Sequence, residues 1–193
     1  MNEQTAKILP ATAGRLLATL VLGLALAACG KNDSSAGSAP APTAKVDACA
    51  LVTASMVAKY ATGLGKGHPG KVPQQSPVST CVWSDAHHIP GLILTVAPSG
   101  SSGVAQGLRR DLGKMGYTVE SVPGLGDEAA VAIQQADPKL HTETGVATLA
   151  VRVGERQIGY SPMRPAISGT GTPTFKRLKE LAAETAKRLG ESQ

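Results

Sequence analysis

The sequence predicts an α+β fold: a single domain on a mainly antiparallel sheet of about six strands, with about three helices packed on one face. Three observations lead there. Short β-branched segments follow one another across turn-length connections, which favours antiparallel pairing over βαβ crossovers. Helical periodicity is confined to stretches around Val57, around Leu108 and from Pro173 to Leu189. Once an N-terminal leader is set aside, about 165 residues remain, enough for one core.

The folded part is expected to begin at Val46 to Cys49. Thr53 is placed to cap a first helix, with Val57, Tyr60, Ala61 and Leu64 at helical spacing and Gly63 and Gly65 ending it. Residues from Gly65 to Val78 are dense in Gly, Pro, Lys and Gln and read as an irregular loop. Ser79 to Ser84 and Gly91 to Ala97 read as two strands joined through Asp85 to Pro90. Ser101 or Ser102 then caps a helix to Met115, because Val104, Leu108, Leu112 and Met115 recur at three- and four-residue steps. Gly103, Gly107 and Gly113 each weaken that helix by about 1 kcal/mol against Ala, so it depends on tertiary packing. Tyr117 to Val122 and Glu128 to Gln134 are predicted strands separated by a Pro-Gly-Leu-Gly-Asp turn. Val146 to Val153 and Arg156 to Ser161 form a hairpin, and Gly154 leading a two-residue loop suits a type II′ turn. The last helix is the best marked: Thr172 caps it, Pro173 fits its first position, and Phe175, Leu178, Ala182, Ala186 and Leu189 make one apolar stripe before Gly190 stops it.

Ahead of the domain, Lys7 and Arg15 precede an apolar run from Leu16 to Ala28, the layout of a secretory leader. The run is shorter than the roughly 20 residues a membrane span needs. Leu26-Ala27-Ala28-Cys29-Gly30 closes it and resembles the lipobox of bacterial prolipoproteins. The resemblance implies a signal peptide over residues 1–28, cleavage before Cys29, and lipid on that cysteine. Two or three acyl chains, palmitate among them, would make a stable anchor where one is marginal. Residues 29–45 hold no large apolar side chain and read as a lipidated flexible tether of Ser, Gly, Ala and Pro. The globular domain is then residues 46–190, with a short tail over 191–193. Gly30 follows the cysteine, where Asp would mark retention at an inner membrane. The expected location is the cell envelope: the outer membrane facing the periplasm in a Gram-negative cell, and the outer face of the cell membrane otherwise.

Composition narrows the function classes. The chain carries 19 basic and 14 acidic residues; Lys7, Arg15 and Glu3 leave with the leader, so 17 and 13 remain, a formal +4. That modest excess, with Tyr60, Trp83, Tyr117, Tyr160 and Phe175 as the aromatics, argues against nucleic acid as a partner. With Cys29 acylated, Cys49 and Cys81 remain as an even pair. An oxidising compartment favours a disulfide between them, closing a loop of about 33 residues at a gain of about 3 to 4 kcal/mol. The competing reading is a free catalytic thiol.

The motifs that look like chemistry fail on context. Gly65-Lys66-Gly67-His68-Pro69-Gly70-Lys71 has the letters of a phosphate loop, yet no Ser or Thr follows Lys71 and Val72-Pro73 blocks the helix that would cradle phosphate. Gly124-Leu125-Gly126-Asp127-Glu128-Ala129 has the letters of a dinucleotide fingerprint, but a strand follows it where a helix is required. Asp85, His87 and His88, with His68 and His141 as distant candidates, fall short of a convergent metal site, since adjacent residues of an extended chain point apart. No nucleophile elbow, Ser-x-x-Lys or His-Glu-x-x-His occurs. No catalytic residue, cofactor or metal is therefore predicted.

Asp47-Ala48-Cys49-Ala50-Leu51-Val52-Thr53, Cys81-Val82-Trp83 and Val122-Pro123-Gly124-Leu125-Gly126-Asp127-Glu128-Ala129 together resemble a family of small bacterial lipoproteins of uncharacterised function. That family is more distantly similar to extracellular sensor domains of bacterial receptor kinases. The resemblance spans about Asp47 to Leu189. It implies a Cys49 to Cys81 bridge pinning the first helix to the strand that holds Trp83. It implies no reaction. Where the family often has Glu three residues past the Thr cap, this chain has Met56. The leading expectation is a non-catalytic envelope domain that binds a small ligand or a protein partner, with an apolar pocket near Trp83 as its mark. An envelope hydrolase with a non-local site and a structural envelope protein are the alternatives.

Overall fold

The computed structural model describes residues 45–192 apart from 138, 140–142 and 165. The leader, Cys29, the tether before Lys45, and His141 lie outside the described residues. Within them the fold is α+β, a seven-stranded antiparallel sheet with four α-helices.

Two short helices open it, α1 (Ala48–Leu51) and α2 (Ala54–Tyr60). Asp47 caps α1 through the Cys49 N–H at 2.8 Å. Thr53 caps α2, its hydroxyl accepting from the Met56 N–H at 3.3 Å. Met56 stands where a capping box would have Glu, and its Sδ takes the Thr53 N–H at 3.5 Å, a weak sulfur version of the same closure.

Six of the strands fall close to their predicted places: β2 (Ser79–Ser84), β3 (Pro90–Pro98), β4 (Tyr117–Ser121), β5 (Glu128–Gln134), β6 (Gly145–Val153) and β7 (Arg156–Pro162). The seventh, β1 (His68–Pro69), corrects the reading of Gly65 to Val78 as irregular throughout, because His68 and Pro69 pair with Val82 and Cys81 of β2. Proline is tolerated there because β1 is an edge strand with one free side. The order is β1-β2-β3-β7-β6-β5-β4, so a three-strand meander and a four-strand meander meet where β3 pairs β7. The β6–β7 hairpin turns on Gly154 with φ +57°, while Glu155 keeps a negative φ, as a type II′ turn demands.

One face of the sheet carries the main core. Cys81, Trp83, Leu94, Val96, Ile158, Tyr160, Leu149, Val151 and Val131 lie under α1, α2 and the long C-terminal helix α4 (Pro173–Glu191). Thr172 and Pro173 start α4 as expected, but the helix runs through Gly190 to Glu191. Burial of Leu189 holds the last turn in place.

The placement of α3 (Val104–Leu112) is a second correction. It packs on the opposite face, where Val104 and Ala105 meet Ala130 of β5 and Ala150 of β6. Side chains alternate along a strand, so Ala129, Val131 and Ile133 face the main core while Ala130 faces α3. Small alanines let the helix sit close. Neither Ser101 nor Ser102 caps it: the N-cap is Gly103 without a side-chain cap, and Glu128 Oε1 accepts the Ala105 N–H at 3.2 Å instead. A Cβ on Gly103 would lie 2.9 Å from that oxygen, so glycine makes room for the borrowed cap.

Candidate functional site

Cys49 and Cys81 form a disulfide, Cα to Cα 5.0 Å, which ties α1 to the strand that carries Trp83. Both residues stand on elements positioned independently of the bond, since Ala48 donates its N–H to the Ser79 hydroxyl at 3.0 Å across the same junction. The catalytic-thiol reading of either cysteine is thereby overturned.

The bridge walls a recess of about 630 Å³ whose lining includes Cys49, Val52, Ala54, Leu64, Lys66 and Trp83. Its size falls in the range of small-ligand pockets. Trp83 is buried, and Gly67 passes over its ring so closely that a Cβ there would stand 2.7 Å from Cε2 and Nε1. Backbone of the segment after α2 thus roofs the indole, and Lys66 is the one charged residue of the lining.

The motifs singled out in the sequence scatter. Asp85 spends Oδ1 on closing its own turn, accepting the His87 N–H at 2.9 Å and the Ile89 N–H at 3.0 Å. Those bonds and nearby cations hold its carboxyl below the usual range. His87 and His88 are exposed beside it, His88 in the left-handed region at φ 61°. His68 belongs to β1 and is also exposed. Among the described residues no three His, Cys, Asp or Glu side chains converge as a metal set would. Gly65 to Lys71 runs into the sheet edge without opening a helix. Gly124 and Gly126 make the turn before β5 with φ of 72° and 59°, and a Cβ on Gly126 would run into the Arg152 carbonyl. Asp127 ties that turn to the hairpin, accepting the Gly154 N–H at 2.6 Å.

Two buried phenols were not anticipated as special. Tyr60 and Tyr160 are each almost fully buried; among the described residues the Tyr60 hydroxyl has no hydrogen-bond partner, and the one group near enough to the Tyr160 hydroxyl to act on it is the Thr185 side chain. Burial raises both, Tyr60 to about 12. Tyr160 lies between Leu94 and Leu149 in the sheet, and the Thr185 hydroxyl beneath it donates to the Leu181 carbonyl at 2.8 Å. Tyr60 differs in lining a second concavity, shared with Arg164 and Arg177, on the other side of Leu64. Periodicity made Tyr60 one more member of an apolar stripe. Its cationic neighbours lie more than a hundred residues away in the chain, beyond the reach of any local pattern.

Fold and site thus define a disulfide-stapled α+β domain with an apolar recess. No known protein family, curated protein or solved structure matches the chain.

Proposed function

We propose that this chain is a non-catalytic binding domain of the bacterial cell envelope, held to a membrane by lipid on Cys29 and spaced from it by residues 29–45. Its ligand is a small, largely apolar molecule or apolar side chain of an envelope partner. The observation that carries this reading is the recess beside Trp83, with a disulfide wall, Val52 and Leu64 for apolar contact and a single charge in Lys66. Rigid apolar recesses with few polar groups suit binding, whereas hydrolysis needs a nucleophile and base within hydrogen-bond reach. The lipoprotein reading rests on the lipobox and on the family resemblance, and the bridge fits an oxidising compartment.

The chain has one tryptophan, so energy transfer from Trp83 to the neutral apolar dye N-phenyl-1-naphthylamine tests the recess directly. Saturable transfer is expected. Ala54→Phe, an exposed lining position, should fill the recess and abolish it without lowering the melting temperature. Equal transfer in both proteins would refute the reading. Cys29→Ser should move the protein from the membrane fraction to the soluble one, and continued incorporation of labelled palmitate would rule out that anchor.

A further inference from the structure

Across Leu64 from the recess lies a cleft of about 400 Å³. The end of α2 supplies Lys59 and Tyr60, the β2–β3 turn supplies Asp85, the segment after β7 supplies Arg164, and the second turn of α4 supplies Arg177. Its charges are unequally matched. Lys59 is 3.8 Å from Glu184, and Arg164 reaches Asp85 only at 4.0 Å. Among the described residues no carboxylate lies within 4 Å of Arg177, whose Nη2 donates to the Thr174 hydroxyl at 3.3 Å. Of the three cations that line the cleft, Lys59 is matched by Glu184, Arg164 has only the long contact to an Asp85 already engaged by backbone, and Arg177 is the excess charge.

The second observation is Tyr60 itself. Its side chain is 1% exposed and its hydroxyl has no partner, a state that a native interior rarely tolerates without a reason. Tyr60 and Arg177 line the same cleft. A planar guanidinium fork matches the oxygens of a phosphate, and a phenol O–H adds one donor. A carboxylate offers two oxygens, whereas a tetrahedral phosphate, as a monoester or a diester headgroup, can present oxygens to both guanidinium groups.

We propose that this cleft is a phosphate-binding site, in which Arg177 and Arg164 grip the phosphate oxygens and Tyr60 Oη donates the hydrogen bond it lacks in the free protein. Arg177 is exposed on its helix, and binding requires a local side-chain rearrangement that opens the buried phenol to the anion. The phosphate belongs to a soluble phosphomonoester or to a phospholipid headgroup. The site is separate from the Trp83 recess, so its failure leaves that reading standing.

The test titrates the full chain carrying Cys29→Ser, labelled at arginine and tyrosine, and follows the Arg177 Nε–H and Tyr60 ring by NMR. One arm adds inorganic phosphate and the other adds vesicles of phosphatidylglycerol in phosphatidylcholine. Saturable shifts at both residues are expected in at least one arm. Response to phosphate assigns a soluble ligand, and response to vesicles alone assigns the headgroup. Arg177→Gln should weaken binding at least tenfold. Tyr60→Phe should weaken it severalfold while leaving the melting temperature of the unliganded protein undiminished. Arg110→Gln, at an arginine paired with Asp111 on α3, should change nothing. No saturable shift in either arm, or equal affinities for the Arg177→Gln and Arg110→Gln proteins, would overturn the proposal.

Discussion

Replacing Cys49 and Cys81 together by alanine should destabilise the domain by about 4 kcal/mol. The two residues are 32 apart, so the bridge closes a loop of about 33 residues in the unfolded chain. The chain-entropy relation gives about 12.5 cal/mol/K for such a loop, or about 3.7 kcal/mol at 25 °C. Cys81 is fully buried against Trp83 and Gly67, and removal of its sulfur leaves a small void worth up to about 1 kcal/mol more. Alanine is the right replacement, since serine would bury an unpaired hydroxyl at the same place. The assay is urea unfolding followed by the single tryptophan, for which the loss corresponds to a midpoint lower by roughly 2 M. In a thermal scan it corresponds to about 7–15 °C. Reduced wild-type protein should track the double variant. A loss under about 1 kcal/mol would show that α1 and β2 are held together by packing alone, and the loop argument would fail.

Two further outcomes follow from close contacts and from a depressed carboxylate. Gly67→Ala should cost about 1–3 kcal/mol and shift Trp83 emission, because the new Cβ meets the indole at 2.7 Å and Cys81 Sγ at 2.8 Å. Gly113→Ala, where nothing lies within 4 Å, should instead stabilise by about 0.4–1 kcal/mol, and equal effects at the two sites would discredit the packing argument. Glu128 is held below the ordinary glutamate range first by the Val104 and Ala105 N–H groups and then by Arg152, whose Nη2 is 3.4 Å from Oε2. A folded value below the unfolded one adds stability that is present above the ordinary value of about 4.3 and is lost as pH falls through the folded one. Unfolding midpoints should therefore drop more steeply on acidification in wild type than in Glu128→Gln, the curves converging at low pH. Parallel curves would show that Glu128 is not the cap of α3.

What a single sequence can show is clear from particular elements. Thr172-Pro173 and the stripe from Phe175 to Leu189 locate α4 because cap, first-turn proline and periodicity are local signals that agree. Gly154 sets the β6–β7 hairpin for the same kind of reason. Ser101 and Ser102 misled because the N-terminus of α3 is satisfied from Glu128, 23 residues further on from Ala105. The side of the sheet on which α3 packs could not be read from β5, whose Ala-Ala-Val-Ala-Ile run is buried on both faces and hides its alternation.

The sequence by itself determined the α+β class and the extent of most elements, and it made Cys49 and Cys81 a candidate pair, which the structure joins. Those features depend on short-range pattern and on counting. Tertiary structure decided which face α3 covers, that His68–Pro69 extends the sheet as an edge strand, and that Trp83 borders a recess under the roof of Gly67. It also brought Tyr60, Arg164 and Arg177 around one cleft. The physical reason is the same in each case. A hydrogen bond, a close approach or an unmatched charge depends on distance in space, and the sheet order β3-β7 brings together residues that chain order keeps far apart.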